Sequence, residues 1–301
     1  MITSMKRYSI VSEDGKTQAT IVPERGAFVS SLILPFPSGS RETLFLHDYA
    51  WQTELDDLPG GIPFLFPVCA RLSRNEEEGA YLYDGKLYRL KIHGFSWFET
   101  WSVTQVTQHS IEVTLRDNAN TFSYYPFHFC ITLKFTVFNE RLECHQTYQN
   151  NEKQKSMPYY AGFHPYFLTP DIGQGKEKVI LQCHPVRQLQ YNATLTDIVG
   201  EKPILKTPVV ITDHSINEQL LVLGDDKLIT LTFPSGDVLK INAHGIQDPN
   251  MFSYLQLYTI PNKPFFCTEP WMSFPNAMNT VSGVRFLKPG QQEEAVFQVF
   301  V

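Results

Sequence analysis

A single acid stands among aromatic neighbours in Phe265-Phe266-Cys267-Thr268-Glu269-Pro270-Trp271. Glutamate is rarely buried without a partner, so this is an odd setting for a merely solvated charge. An apolar surround raises a carboxyl pKa from about 4.3 toward neutrality, whereas an imidazole starts near about 6.5. Two upstream histidines have constrained settings of their own, in His93-Gly94-Phe95 and in Gly162-Phe163-His164-Pro165-Tyr166-Phe167. A carboxyl and an imidazole brought to one place are matched for general acid–base work, one taking a proton while the other gives one. His164 has the stronger signal, because Gly162, Pro165 and the flanking aromatic rings would desolvate and pin it. His93 follows a hairpin read over Tyr81 to Ile92 and turned at Asp84-Gly85-Lys86, where Gly94 permits close backbone approach. Taken alone, His93 reads more readily as a satisfied core or a surface histidine, whereas for His164 the structural and functional readings balance.

Arg71 follows Pro59-Gly60-Gly61-Ile62-Pro63-Phe64-Leu65-Phe66-Pro67, in which glycines allow unusual backbone angles and prolines stiffen the chain. A loop of fixed irregular shape can aim an arginine; a purely structural crossover with Arg71 solvated is the alternative. Other chemistries find little support. The histidines show no His-x-His or His-x-x-x-His spacing with a nearby carboxylate, so no metal is implied. There is no Gly-x-Ser-x-Gly nucleophile turn, and Gly60-Gly61 lacks the Gly-Lys-Ser/Thr continuation of a phosphate loop.

The elements that must carry these residues read as strands. Phe127, Phe129, Ile131, Leu133, Phe135 and Val137 alternate with polar residues, and after a turn at Asn139-Glu140 the row Leu142, Cys144, Gln146 and Tyr148 does the same. Ile111 to Leu115 repeats the pattern. Further hairpins are predicted for Ser9–Val11 with Thr17–Val22, and for Leu228–Phe233 with Val238–Asn242. No sustained 3.6-residue periodicity competes. The fold class predicted is all-β: a large antiparallel β-sandwich, formed by residues 1–301 as a single domain. Ser73–Gly79, Asn150–Lys155 and Pro170–Lys178 are predicted to be polar loops.

With 301 residues, 43% of them hydrophobic, the chain can bury a large core. A net charge of −6 without any Lys/Arg cluster argues against nucleic acid or an anionic membrane surface as partner. No apolar run approaches a membrane span, and the stretch after Lys6-Arg7 is too short for a signal peptide. Cys69, Cys130, Cys144, Cys183 and Cys267 are scattered and odd in number, which fits reduced thiols in a cytoplasmic protein.

Gly60 to Pro67 with Arg71-Leu72, His93-Gly94-Phe95, Gly162 to Phe167 and Thr268-Glu269-Pro270-Trp271 stand in the order of the aldose 1-epimerase (mutarotase) family. The resemblance spans nearly the full chain, through motifs that are weak singly and specific together. It implies the galactose-mutarotase-like supersandwich and a carbohydrate isomerase that interconverts the α and β anomers of a hexose without a cofactor. By the same resemblance Glu269 is the general base and His164 the general acid. His93 and Arg71 bind the sugar, and Asp213, in Thr212-Asp213-His214, matches the sugar-binding aspartate, with Asp225 and Asp248 as competitors.

After His93-Gly94-Phe95 the hexose-6-phosphate epimerases continue Ala-Arg, whereas this chain has Ser96-Trp97. A free aldohexose is therefore favoured over a phosphorylated one as the small-molecule partner, with a monomer or homodimer as the assembly. A hexose-6-phosphate 1-epimerase and a non-catalytic carbohydrate-binding domain on the same scaffold are the alternatives. Trp97 and Trp271 are candidates for stacking on the sugar. The tail Met272-Ser273-Phe274-Pro275-Asn276-Ala277 has no counterpart in these motifs.

Overall fold

The alternation around residues 127–148 folds as a hairpin. In a computed structural model of the chain, which describes residues 5–52 and 57–301, Phe129–Phe138 and Arg141–Asn150 pair antiparallel, with Phe135 opposite Cys144. Ile131, Leu133, Phe135 and Val137 are buried on one strand, and Leu142, Cys144, Gln146 and Tyr148 on the other. Gln146 is the one polar member of that inward row. Its Nε2 donates to the Cys144 carbonyl (2.7 Å) and its Oε1 accepts from the Tyr148 hydroxyl (3.1 Å), which keeps its buried amide satisfied.

This hairpin lies inside a nine-stranded antiparallel sheet. On one side are Ser110–Arg116 and Ser102–Val106; on the other come Gln292–Phe300, Val238–Gly245, Ile229–Thr232, Ile180–Gln182 and Val209–Val210. A second, eight-stranded sheet runs from Ile198–Glu201 through Pro185–Tyr191, Gln219–Leu223, Tyr254–Tyr258 and Phe265–Trp271 to Gly162–Phe163 and Phe64–Leu65, with Tyr166–Leu168 also on Phe265–Trp271. The two sheets meet face to face. Phe163 of the second stacks on Phe297 of the first, with ring centroids 4.2 Å apart, and Phe64 reaches Tyr148 at 6.2 Å. Tyr8–Val11, Gln18–Val22, Phe28–Phe36 and Gly39–Glu42 form a smaller four-stranded sheet. The large antiparallel sandwich read from the alternation is the architecture observed.

Two of the predicted loops carry structure of their own. Ser73–Gly79 contains a minimal hairpin, Ser73–Arg74 against Glu77–Glu78, turned by Asn75 and Glu76 at positive φ. In Pro170–Lys178, Lys176 is almost fully buried, and its Nζ reaches the hydroxyl of Thr259 (3.1 Å) and the carbonyls of Ile260 (3.3 Å), Lys263 (2.5 Å) and Phe265 (3.1 Å). Burial pulls its pKa down to about 8. The ammonium thereby closes the turn that leads into Phe265–Trp271. A solvated loop was the natural reading, because nothing in the local sequence announces a ring of carbonyls assembled from another segment.

All seven residues of Phe265–Trp271 are buried. The five cysteines are free and buried, and among the described residues no helix is long and apolar enough to cross a membrane.

Candidate active site

Strand register brings the acid and the imidazole together. Gly162 lies opposite Trp271 and Tyr166 opposite Cys267, which places His164, in the gap between the two short strands, across from Glu269. On the other edge of the same strand Gln256 is paired with Glu269. Residues at matching register project on one face of a sheet, so His164, Glu269 and Gln256 form a row. Gly162 makes the approach possible: a Cβ there would stand 2.6 Å from the Trp271 ring and 2.7 Å from Cys69 Sγ.

The row forms the floor of a cavity of about 150 Å³, which Arg71, His93, Glu218 and Trp271 also line. That volume is below the range of about 300–1,000 Å³ usual for drug-sized ligands and suits a small polar molecule. His164 Nε2 is 3.2 Å from Glu269 Oε1. The angles fall short of a hydrogen bond, so both carboxylate oxygens and His164 Nδ1 are buried without a hydrogen-bond partner among the described residues. Orphaned buried polar atoms are rare and costly, and here they belong to residues that line a cavity. His164 stacks on Tyr166 at 4.6 Å and meets the edges of His93 and Tyr258 at 5.3 and 6.1 Å, which fixes the plane of its ring.

Burial acts on the two groups in opposite senses. It pushes the Glu269 carboxyl well up, helped by the charge of Glu218 and partly offset by the Trp271 indole N–H. It pulls His164 well down, with His93 adding to the effect. Each is driven toward its neutral form, Glu269 by holding a proton and His164 by giving one up.

His93 is also neutral. Its Nδ1 accepts the Ala70 backbone N–H at 3.0 Å, while its own N–H donates to the Ala70 carbonyl at 2.9 Å. Burial first, then Arg71, lower its pKa to about 3. With Nδ1 as acceptor the ring proton is on Nε2, a donor fixed by its second partner. Gly94 behind it has no alternative residue, since a Cβ would stand 2.2 Å from the Phe66 carbonyl oxygen.

A polar chain spans another wall. The Tyr191 hydroxyl donates to Gln256 Oε1 (2.7 Å), and Gln256 Nε2 donates to Glu218 Oε2 (2.8 Å). Burial raises the Glu218 pKa, and Arg71 pulls it partly back. Four lining residues, Ala70 (58°), His93 (63°), Leu195 (58°) and Glu218 (51°), have positive φ. Each costs about 1–2 kcal/mol for an L residue, and such strain concentrates where function requires it.

The profile of the aldose 1-epimerase family matches residues 8–299. The chain belongs to this family. Among curated relatives, the chromosomal protein LacX of Lactococcus lactis is 25% identical over 246 residues, covering 77% of this chain and 80% of its own. The fold closely matches that of Slr1438 from Synechocystis (TM-score 0.82, 22% identity, 99% of this chain and 96% of the other). A galactose mutarotase-like protein from Lactobacillus casei gives a TM-score of 0.79 at 22% identity, covering 98% of this chain and 99% of its own.

Of the residues read from the sequence of this aldose 1-epimerase family member, Glu269, His164, His93 and Arg71 all line one cavity. Asp213 does not. It is exposed and caps a short 3₁₀ turn, with its Oδ1 accepting from Ser215 N (2.8 Å) and Ser215 Oγ (2.7 Å). Asp225 and Asp248 are also absent from the lining, and Asp248 is 2.9 Å from Arg285. Among the described residues, the acids that line the cavity besides Glu269 are Glu218 and Asp57. Glu218 was hidden because its setting, Asn217-Glu218-Gln219, looks like any polar turn. Its positive φ and its partner Gln256, thirty-eight residues on, appear only in three dimensions.

Trp271 lines the cavity. Trp97 is buried, its Nε1 donating to the Ile92 carbonyl (3.3 Å), and Ser96 Oγ donates to the Phe64 carbonyl (2.6 Å). One set of potential metal ligands occurs among the described residues, His164, Cys267 and Glu269, whose ligand atoms lie within 4.8 Å of one another. Burial keeps the Cys267 thiol protonated by raising its pKa well above the ordinary value.

Proposed function

We propose that the protein is an aldose 1-epimerase acting on a free hexose. The observation that carries this reading is the separation of 3.2 Å between His164 Nε2 and Glu269 Oε1 at the floor of the cavity, with both Glu269 oxygens lacking a hydrogen-bond partner among the described residues.

Opening a pyranose requires loss of the anomeric hydroxyl proton and gain of a proton at the ring oxygen. Burial favours a protonated Glu269 carboxyl and a neutral His164 imidazole, a state in which the pair shares one proton. Its transfer to the imidazole produces a carboxylate and an imidazolium together, so one proton arms both catalysts. Glu269 then takes the anomeric proton as the C1–O5 bond breaks, and His164 returns a proton to O5. The open aldehyde turns about C1–C2 and closes on its other face with the roles reversed. Each positioned proton transfer contributes about 10²- to 10⁴-fold, roughly 3 to 5 kcal/mol of barrier. His93, through Nε2–H, and Arg71 donate to sugar oxygens, while the Glu218–Gln256 pair accepts from hydroxyls and Trp271 offers an apolar face.

Charge favours an unphosphorylated sugar. Among the described residues Arg71 is the one arginine or lysine of the lining, set against Asp57 and Glu218. Position 97, where the 6-phosphate epimerases have arginine, is a buried tryptophan.

The test is the rate of anomer exchange, by NMR of freshly dissolved α-anomers, across free hexoses and their 6-phosphates. Faster exchange of a free hexose supports the proposal. Saturable binding without exchange would leave a carbohydrate-binding protein, and preference for the 6-phosphates would make it a sugar-phosphate epimerase.

A further inference from the structure

The tail after the Glu269 strand ties the cavity together through Asn276. This residue has φ 60°, a left-handed conformation that asparagine tolerates better than most residues. It precedes the short helix Ala277–Thr280 at the N-cap position, where an asparagine side chain ordinarily accepts from its own helix. It makes no such bond.

Its hydrogen bonds go to distant segments instead. The Asn276 backbone N–H donates to the Arg71 carbonyl (2.9 Å), and its Oδ1 accepts the Ser73 N–H (3.0 Å), gripping the Arg71 segment on both sides. Nδ2 donates to Asp197 Oδ1 at 2.6 Å. Asp197 ends the tight loop in which Asn192 Oδ1 accepts from Thr196 N (2.9 Å) and Asp197 N (3.2 Å), and this loop holds Leu195 against the cavity at φ 58°. Asn279 adds a second tie, donating to the Ala80 carbonyl (2.8 Å) and to Asn276 Oδ1 (2.8 Å).

Among the described residues the Arg71 guanidinium has no hydrogen bond; its charge acts on Glu218 and His93, and its backbone carbonyl is held by Asn276. Asn276 is 6% exposed and does not line the cavity.

We propose that Asn276 is a positioning residue that sets sugar affinity by holding Arg71 and the Leu195 loop at fixed spacing around the cavity. The kinetic consequence rests on the epimerase reading; the structural coupling does not. Asn276→Gly keeps the left-handed backbone accessible while removing Oδ1 and Nδ2, and Asp197→Ala removes the loop arm together with the bonds that Asp197 Oδ2 accepts from Thr196 Oγ1 (3.0 Å) and Asn192 Nδ2 (3.4 Å).

In Asn276→Gly, KM for the hexose should rise about tenfold with kcat within about twofold, as expected for loss of two or three hydrogen bonds that act on binding. The two effects should be less than additive in the double variant, since both substitutions break the Asn276–Asp197 link. Amide hydrogen exchange, which needs no turnover, should accelerate in residues 70–73 and 192–197 while residues 129–150 stay protected. Unchanged KM, a parallel fall in kcat, additive effects, or faster exchange confined to 276–280 would each overturn the proposal. If the wild type fails to exchange anomers, the epimerase reading falls and the amide-exchange result alone decides this one. Should Asn276→Gly not fold, Asp197→Ala carries the same comparison for the 192–197 arm.

Discussion

His164 Nε2 and Glu269 Oε1 face each other at 3.2 Å across one register position of the second sheet, and burial drives the carboxyl to keep a proton and the imidazole to lose one. Such a pair titrates as a unit. Its one-proton state is the competent one, bounded on the acid side by protonation of His164 and on the alkaline side by deprotonation of Glu269.

The first consequence is the shape of the pH–rate profile. His164 is shifted down from its ordinary 6.5 and Glu269 up from its ordinary 4.5, so the acid limb lies below 6.5 and the alkaline limb above 4.5. Measured kcat/KM for anomer exchange should pass through a maximum between the two limbs and fall on both flanks. A profile rising through pH 6.5 as histidine ordinarily titrates would remove His164 from the pair.

Replacing Glu269 by Gln keeps the shape of the side chain but ends proton exchange. We expect anomer exchange to drop at least about 10²-fold, with the alkaline limb gone from any residual rate. The melting temperature should not fall, because a buried acid without a hydrogen-bond partner contributes little to stability. Full turnover in this variant would exclude the mechanism.

Glu218→Gln should act on affinity and on pH together. Losing the charge weakens acceptance from sugar hydroxyls and should raise KM about fivefold to tenfold, as for one charge-assisted hydrogen bond. The Glu218 charge also helps hold the Glu269 pKa up, so its removal should move the alkaline limb to lower pH. A variant with KM and alkaline limb both unchanged would place Glu218 outside the sugar site.

His93 predicts acid sensitivity. Its pKa falls from 6.5 to about 3 on folding, so the unfolded chain binds the proton first, and stability is lost as pH drops from about 6.5 toward about 3. This one residue should contribute a slope approaching about 1.4 kcal/mol per pH unit in that window. His93→Asn, which suits the positive φ and offers an acceptor to Ala70 N–H, should flatten the slope in denaturant titrations run from pH 7 to pH 4. An unchanged slope would mean that His93 is not held neutral.

Local sequence determined the strands, most of the turns and four of the site residues. Period-two alternation is a local property and survives folding intact, as Phe129–Phe138 and Arg141–Asn150 show. Glu269 and His164 stood out because an acid among aromatics and a histidine between aromatics and proline are anomalous without reference to anything distant, whereas His93 and Arg71 were singled out by their place among the family's motifs.

Glu218, Gln256 and Asn276 carry no such mark. Each is an ordinary polar residue whose significance lies in a partner 38, 38 and 79 residues away, respectively. Asp213 was the match the resemblance offered, with Asp225 and Asp248 as competitors, yet its carboxylate is used by the backbone two residues on. Only the tertiary structure decided which acid reaches the cavity and what spaces Arg71 from Leu195, because those outcomes depend on strand register and on hydrogen bonds between segments that no local pattern encodes.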